Sequence, residues 1–114
     1  MITILFYMTA KAGREDDFAE QARDLMATTR AEDDGCITYA IYRQTDNARQ
    51  FVLFEQWRGP DALNAHIARL QRVFGPPDDH EPYPPTHHRR RLPKAFLDLF
   101  EKTDAVRYDS LEIR

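Results

Sequence analysis

Apolar positions recur along this chain with two different periods, and the changes of period mark its elements. Ile2–Thr9 is almost continuously apolar, with Ile2, Ile4, Leu5, Phe6, Tyr7 and Met8. A strand with one wet face alternates, so this run predicts a strand covered on both faces. After a turn at Lys11-Ala12-Gly13, Phe18, Ala22, Leu25, Met26 and Thr29 recur at helical spacing across Arg14–Ala31, one face of an amphipathic helix. Glu15, Asp16 and Asp17 fall in its first turn, where the helix dipole favours negative charge. Period two returns in Cys36–Arg43 and Phe51–Arg58, entered past Gly35 and joined by the polar turn Gln44–Gln50. In the second of these strands Phe51, Leu53, Glu55 and Trp57 share a face, and Val52, Phe54 and Gln56 share the other. Gly59-Pro60-Asp61 opens a second helix, with Leu63, Ile67, Leu70 and Phe74 on its apolar stripe and His66 at the border.

Gly75–Pro93 differs in kind. Six of the seven prolines and three of the four histidines lie there, with Arg89-Arg90-Arg91, and no apolar period survives. It reads as a long loop, anchored by Tyr83 and packed on the body of the domain or on a second subunit. Lys94–Lys102 recovers a short helical pattern in Phe96, Leu97 and Phe100. Ala105–Ile113 reads as a last strand whose phase changes near Asp109-Ser110, as at a bulge. The order β-α-β-β-α-β predicts an α+β, ferredoxin-like antiparallel sheet with helices on one face. Two helical layers cover one face only. Roughly 400 Å² of sheet would stay bare at ordinary strand spacings. A homodimer closed through the sheet faces is therefore expected, although the pattern does not fix whether Ile4 meets the helices or the partner.

At 114 residues the chain suits a single domain, 1–114, with an insertion at about 75–93. The net charge of −3 gives no broad electrostatic case for nucleic acid or an anionic membrane. No apolar run nears the length of about 18 residues that spans a bilayer. Cys36 is the only cysteine, which excludes an internal disulfide and points to a cytoplasmic location. MITILFYM carries no basic leader and reads as a strand, not as a signal peptide.

Glu55 is the acid among large apolar neighbours; it either meets a partner or borders a polar cavity. A half-exposed strand carboxylate is the plainer alternative. His66 has a base's ordinary pKa range and stands beside an apolar stripe, or it is a boundary histidine bonded to backbone. Tyr7, Tyr39 and Tyr42 carry hydroxyls able to donate to an oxyanion, or satisfied within a core. Asn64 lies near His66 on the helix, Trp57 packs, and Cys36 reads as an inert thiol. His80, His87 and His88 stand among Asp78, Asp79 and Glu81, but adjacent histidines in a proline-rich loop are a poor zinc frame, so no metal is expected. His87–Arg91 reads as a solvated basic loop, with an anion site as the sharper alternative.

The set Asp34-Gly35-Cys36-x-x-Tyr39, Phe51-x-Leu53-x-Glu55-x-Trp57 and Leu63-x-x-His66 resembles the antibiotic biosynthesis monooxygenase domain family of small dimeric α+β-barrel proteins. The resemblance covers roughly Met1–Leu70 and resumes at Lys94–Ile113, and the loop between departs from the family's short connection. It implies cofactor-free oxygenation. A small phenol, hydroquinone or anthrone loses a proton, and its anion reduces O₂ directly in a dry pocket. On that reading His66, Tyr39 and Tyr7 are the catalytic candidates, and Trp57, Asn64 and Glu55 line the substrate. A haem-degrading branch of the superfamily uses an Asn–Trp–His set; here the first strand offers Tyr7 in place of Asn, and His66 replaces the pocket Trp. A non-catalytic ligand-binding or stress-related dimer on the same barrel is the alternative function.

Overall fold

In the computed structural model, which describes residues 1–79, 82–84 and 87–112, four strands form one antiparallel sheet in the order β2-β3-β1-β4. The chain runs β1 (Ile2–Ala10), α1 (Glu15–Glu32), β2 (Cys36–Arg43), β3 (Gln50–Trp57), α2 (Pro60–Phe74), two single helical turns α3 (His88–Arg91) and α4 (Lys94–Leu97), and β4 (Phe100–Tyr108). No helix among the described residues is long and apolar enough to cross a membrane. His80 and Glu81 of the loop, and Ile113 of the expected last strand, lie outside the described residues.

The helices lie on one face of the sheet. That face carries Ile2, Ile4, Phe6, Met8 and Ala10 of β1, with Phe51, Leu53, Glu55 and Trp57 of β3, all buried. Ile4, only 3% exposed, therefore faces the helices, which settles the orientation that the apolar pattern leaves open. On the other face Leu5 is half-buried and Tyr7 exposed, so within one chain β1 alternates instead of being covered on both sides. α1 sends Phe18, Ala22, Leu25 and Thr29 into the core, and α2 sends Leu63, His66, Ile67 and Leu70. Phe18 anchors one end through edge contacts with Phe51, Phe96 and Phe100 at centroid distances of 4.8, 6.0 and 4.8 Å.

Gly35 locks β2 to the start of α2. Its φ is +87°, in the left-handed region, and a Cβ there would meet the Cβ of Ala62 at 2.7 Å. Its carbonyl accepts from the Arg58 backbone N–H at 2.9 Å. The turn thereby sets α2 against β3, with His66 facing Trp57.

The last third differs from the pattern expected. The helix foreseen over Lys94–Lys102 is the single turn α4, and Phe100 already begins β4. The register shifts between Thr9 and Ala10, where Ala10 pairs with Phe100 but Thr9 pairs with Lys102. This bulge changes the strand's phase at Glu101, so that Phe100 and the later Thr103, Ala105 and Arg107 all pair with helix-side residues of β1. The bulge expected near Asp109-Ser110 is absent there because the strand ends at Tyr108, and Leu111 is 96% exposed. Within the proline-rich segment, α3 is a turn of helix. Leu92 and Pro93 are buried, and Pro77 pairs with Pro93 by an isolated bridge. Arg90 gathers the loop by donating to the carbonyls of Asp78, Asp79 and Tyr83 at 2.8, 2.6 and 3.0 Å.

Candidate active site

The helix-side register places Tyr39, Glu55, Ile4 and Arg107 in one row across all four strands. Glu55 is 2% exposed, which removes the half-exposed alternative. Its Oε1 accepts from Trp57 Nε1, two residues on along the same face, at 2.8 Å. Its Oε2 lies 4.0 Å from His88 Nε2. Burial pushes the Glu55 carboxyl up to about 7, and the Trp57 hydrogen bond opposes that rise. A carboxylate so placed gains and loses its proton near neutrality.

His88 comes from the loop and corrects the expectation of a solvated basic stretch over His87–Arg91. Its ring stands edge-on to Phe6 at 5.9 Å, and its side chain is 15% exposed. Burial lowers its pKa to about 4, helped by the positive charges or partial charges of Arg91, His66, His87 and Arg107. At neutral pH His88 is an uncharged imidazole. His87 stacks on Tyr83 with ring centroids 4.4 Å apart, so the foreseen anchor holds α3 through His87.

His66 sits one layer away. Its ring lies over Trp57 at 4.4 Å, Tyr39 meets it edge-on at 5.2 Å, and Nδ1 is 2.6 Å from Asp33 Oδ2. Arg69 grips Asp33 with Nε to Oδ1 at 2.7 Å and a terminal nitrogen to Oδ2 at 2.8 Å. Burial raises the Asp33 carboxyl, but Arg69 and His66 outweigh it and hold the group below the usual range. An ionised Asp33 has only acceptors to offer, so Nδ1 of His66 carries the proton and Nε2 keeps a lone pair. Burial, opposed by Asp33, keeps the His66 pKa below normal and the ring neutral.

A cavity of about 250 Å³ lies between β1, β4, α2 and α3. Ile4, Leu63 and Ala105 give it an apolar floor; His87, His88, Arg91 and Arg107 give it a basic wall. Of the candidates read from sequence, Glu55, Trp57, Tyr39 and His66 form one buried cluster. Burial pushes the Tyr39 hydroxyl far up, and the nearby Glu55 adds to this, so the phenol stays protonated and able to donate. Asn64 is exposed, and its Oδ1 accepts from Arg91 at 2.5 Å, fastening α2 to the loop. Tyr7 stands on the opposite face of the sheet, beside Tyr42 and Val52. Asp33, Arg69 and Arg107 escaped sequence reasoning, and His88 entered it only as a poor zinc candidate within a basic loop. Arg69, three residues after His66, carried the one local signal, since it shares that helix face. Among the described residues no group of three or more His, Cys, Asp and Glu is placed to hold a metal ion.

Comparison with known proteins agrees with this architecture. The family model for antibiotic biosynthesis monooxygenase matches residues 1–71. "Putative monooxygenase YcnE" of Bacillus subtilis (strain 168) is 27% identical over 66 residues, spanning 58% of this chain and 68% of YcnE. Among solved structures, PA3566 from Pseudomonas aeruginosa superposes with a TM-score of 0.69 at 22% identity, over 97% of this chain and 94% of that one. Rv0793 from Mycobacterium tuberculosis gives 0.65 at 17% identity, over 98% and 96%. At these identities the structures share the fold.

Proposed function

The chain belongs to the antibiotic biosynthesis monooxygenase family, and from that premise we propose that it oxidises a small electron-rich aromatic compound, a phenol, hydroquinone or anthrone, with O₂ and without a cofactor. The observation that carries this reading is Glu55: a buried carboxyl with a pKa near 7, one oxygen held by Trp57 and the other facing His88 at the cavity.

The reaction needs a proton acceptor that works at neutral pH and a dry place for the resulting anion. Glu55 is the acceptor. His88 stands between it and the cavity as a neutral imidazole, able to take the substrate's proton on one nitrogen while passing the other proton to Glu55. The 4.0 Å gap closes by a small rotation or one bridging water. The substrate anion then supplies the electrons to O₂. One oxygen atom enters the product as two hydrogens leave, and the other oxygen leaves as water. Both hydrogens come from the methylene in anthrone to anthraquinone; one comes from a ring carbon and one from a hydroxyl in phenol to quinone and in hydroquinone to hydroxyquinone. Trp57 holds Glu55 in place, and Asp33 with Arg69 fixes His66 against Trp57, so these are positioning residues. Tyr39 supplies a protonated hydroxyl to the cluster, and Asn64 keeps Arg91 at the cavity wall. His66, with a free lone pair at Nε2, is the second base in the cluster.

Tyr7 takes its role in assembly. The outer sheet face carries Leu5, Tyr7, Ala40, Tyr42, Val52, Phe54, Val106 and Tyr108, and Tyr42 and Tyr108 are 61% and 44% exposed. A second copy of the same face is the occupant that satisfies it.

Oxygen uptake in the presence of substituted hydroquinones and anthrones, with and without ¹⁸O₂, tests the function. One labelled oxygen in the product and a rate dependent on Glu55 support it. Binding of these compounds without oxygen uptake favours the non-catalytic alternative and overturns it.

A further inference from the structure

Four residues with nitrogen side chains form one wall of the cavity, and two of them, Arg91 and Arg107, carry positive charge in a chain whose net charge is −3, so the charge there is local and not inherited from composition. Three of the four, His87, His88 and Arg91, come from the segment 75–93, and the fourth, Arg107, from the edge strand β4. Arg91 spends one terminal nitrogen on the neutral amide oxygen of Asn64 and has no carboxylate partner among the described residues. The Arg107 side chain has no hydrogen bond or ion pair among them. By contrast Arg43, Arg49 and Arg69 each face an acid. Both cavity arginines also act on His88 strongly enough to help depress its pKa, so their fields reach the cavity's interior.

The opposite side of the same space is hydrocarbon: Ile4, Leu63 and Ala105. We infer that the cavity takes a small aromatic carboxylate, with its ring on Ile4, Leu63 and Ala105 and its carboxylate toward Arg91 and Arg107. The planar guanidinium fork matches a planar carboxylate. A volume of about 250 Å³ is slightly below the ~300 Å³ lower end for drug-sized ligands and suits a single ring. Inorganic phosphate would leave the apolar floor unused. As a statement about the substrate of oxygenation, the inference rests on the function proposed above; as a statement about binding it stands alone.

Calorimetric titration of the full-length protein with benzoate and with its neutral counterpart benzamide tests it. Benzoate is expected to bind at least tenfold more tightly than benzamide and to shift the imidazole resonances of His88. Arg107→Gln, exposed on an edge strand and so without a folding role, should weaken benzoate at least tenfold and leave benzamide unchanged. Arg91→Gln should do the same to benzoate, with only a slight fall in thermal midpoint from loss of the exposed Asn64 hydrogen bond. Equal affinity for benzoate and benzamide, indifference to Arg107→Gln, or displacement of benzoate by equimolar phosphate would each overturn the inference. Comparing 2,5-dihydroxybenzoate with hydroquinone separates it from the oxygenase reading. Arginine-dependent benzoate binding with no oxygen uptake from either compound leaves the site standing and removes the activity. Uptake from hydroquinone with no benzoate binding does the reverse.

Discussion

Trp57 donates its indole N–H to Glu55 Oε1 at 2.8 Å, across the two-residue repeat of a single strand face. This bond does two things. It satisfies a buried carboxylate oxygen that the core would otherwise leave bare, and it points the other oxygen toward His88. It is too weak to cancel the burial that holds the carboxyl near pKa 7.

That balance predicts a pH dependence of stability. The folded pKa of Glu55 is above its usual 4.5, so the folded state binds more protons between about 4.5 and 7, and stability from this group falls as pH rises through that window. A rise from 4.5 to about 7 corresponds to on the order of 3 kcal/mol. His88 acts oppositely: its folded pKa is near 4, below 6.5, so stability is lost as pH falls from 6.5 to 4. The two nearly offset each other in the wild type between pH 4.5 and 6.5. Urea denaturation of Glu55→Gln, compared with wild type at pH 5 and pH 8, should show the variant relatively more stable at pH 8 by about that 3 kcal/mol. An equal difference at both pH values contradicts the assignment.

Asp33→Asn should cost about 3 kcal/mol, because Arg69 then loses its anion in a largely dry setting. The His66 ring would lose its tautomer constraint as well. Thermal and urea unfolding check the first effect, and the His66 imidazole resonances check the second. A stability loss under about 0.5 kcal/mol would mean that the pair is solvated and ordinary.

The two faces of β1 separate folding from association. Ile4→Lys places a charge in the helix-side core and should prevent folding. Leu5→Lys, one residue on, points to the opposite face and should leave a folded chain that sediments as a monomer under conditions where the proposed wild-type dimer holds together. A wild-type protein that is monomeric at micromolar concentration removes the sheet-to-sheet dimer.

Arg90 donates to three loop carbonyls, so Arg90→Ala should loosen residues 76–91 without disturbing the sheet. Tryptic cleavage after Arg89 should accelerate at least tenfold in the variant, with an unchanged far-ultraviolet spectrum. Equal cleavage rates would show that the loop is held by other contacts.

The alternation of Phe51, Leu53, Glu55 and Trp57 and the helical spacing of Phe18, Ala22, Leu25 and Thr29 make the sheet, the helices and the buried acid legible in the order of residues alone. Those elements are repetitive, and their side chains obey one local period. The β4 bulge is misplaced by that pattern because Glu101 breaks the period inside a stretch where Phe96, Leu97 and Phe100 mimic a helix; the pairing of Ala10 with Phe100, distant in sequence, decides the matter. His88 is hidden for a related reason. Arginines follow it in sequence, and only long-range packing on Phe6 and Glu55 dries it. Asp33 and Arg69 are 36 residues apart, beyond any local pattern.

The most direct test of Glu55 as the proton acceptor is the pH–rate profile of oxygen uptake with an active hydroquinone, measured on wild type and Glu55→Gln. Wild type should rise with pH through about 7 and level off, following the Glu55 carboxyl. Glu55→Gln keeps an acceptor for Trp57 but no base, so it should lose the limb and about 10²–10⁴-fold in rate. Identical profiles in the two proteins, with turnover retained, would contradict the account and leave His66 as the base.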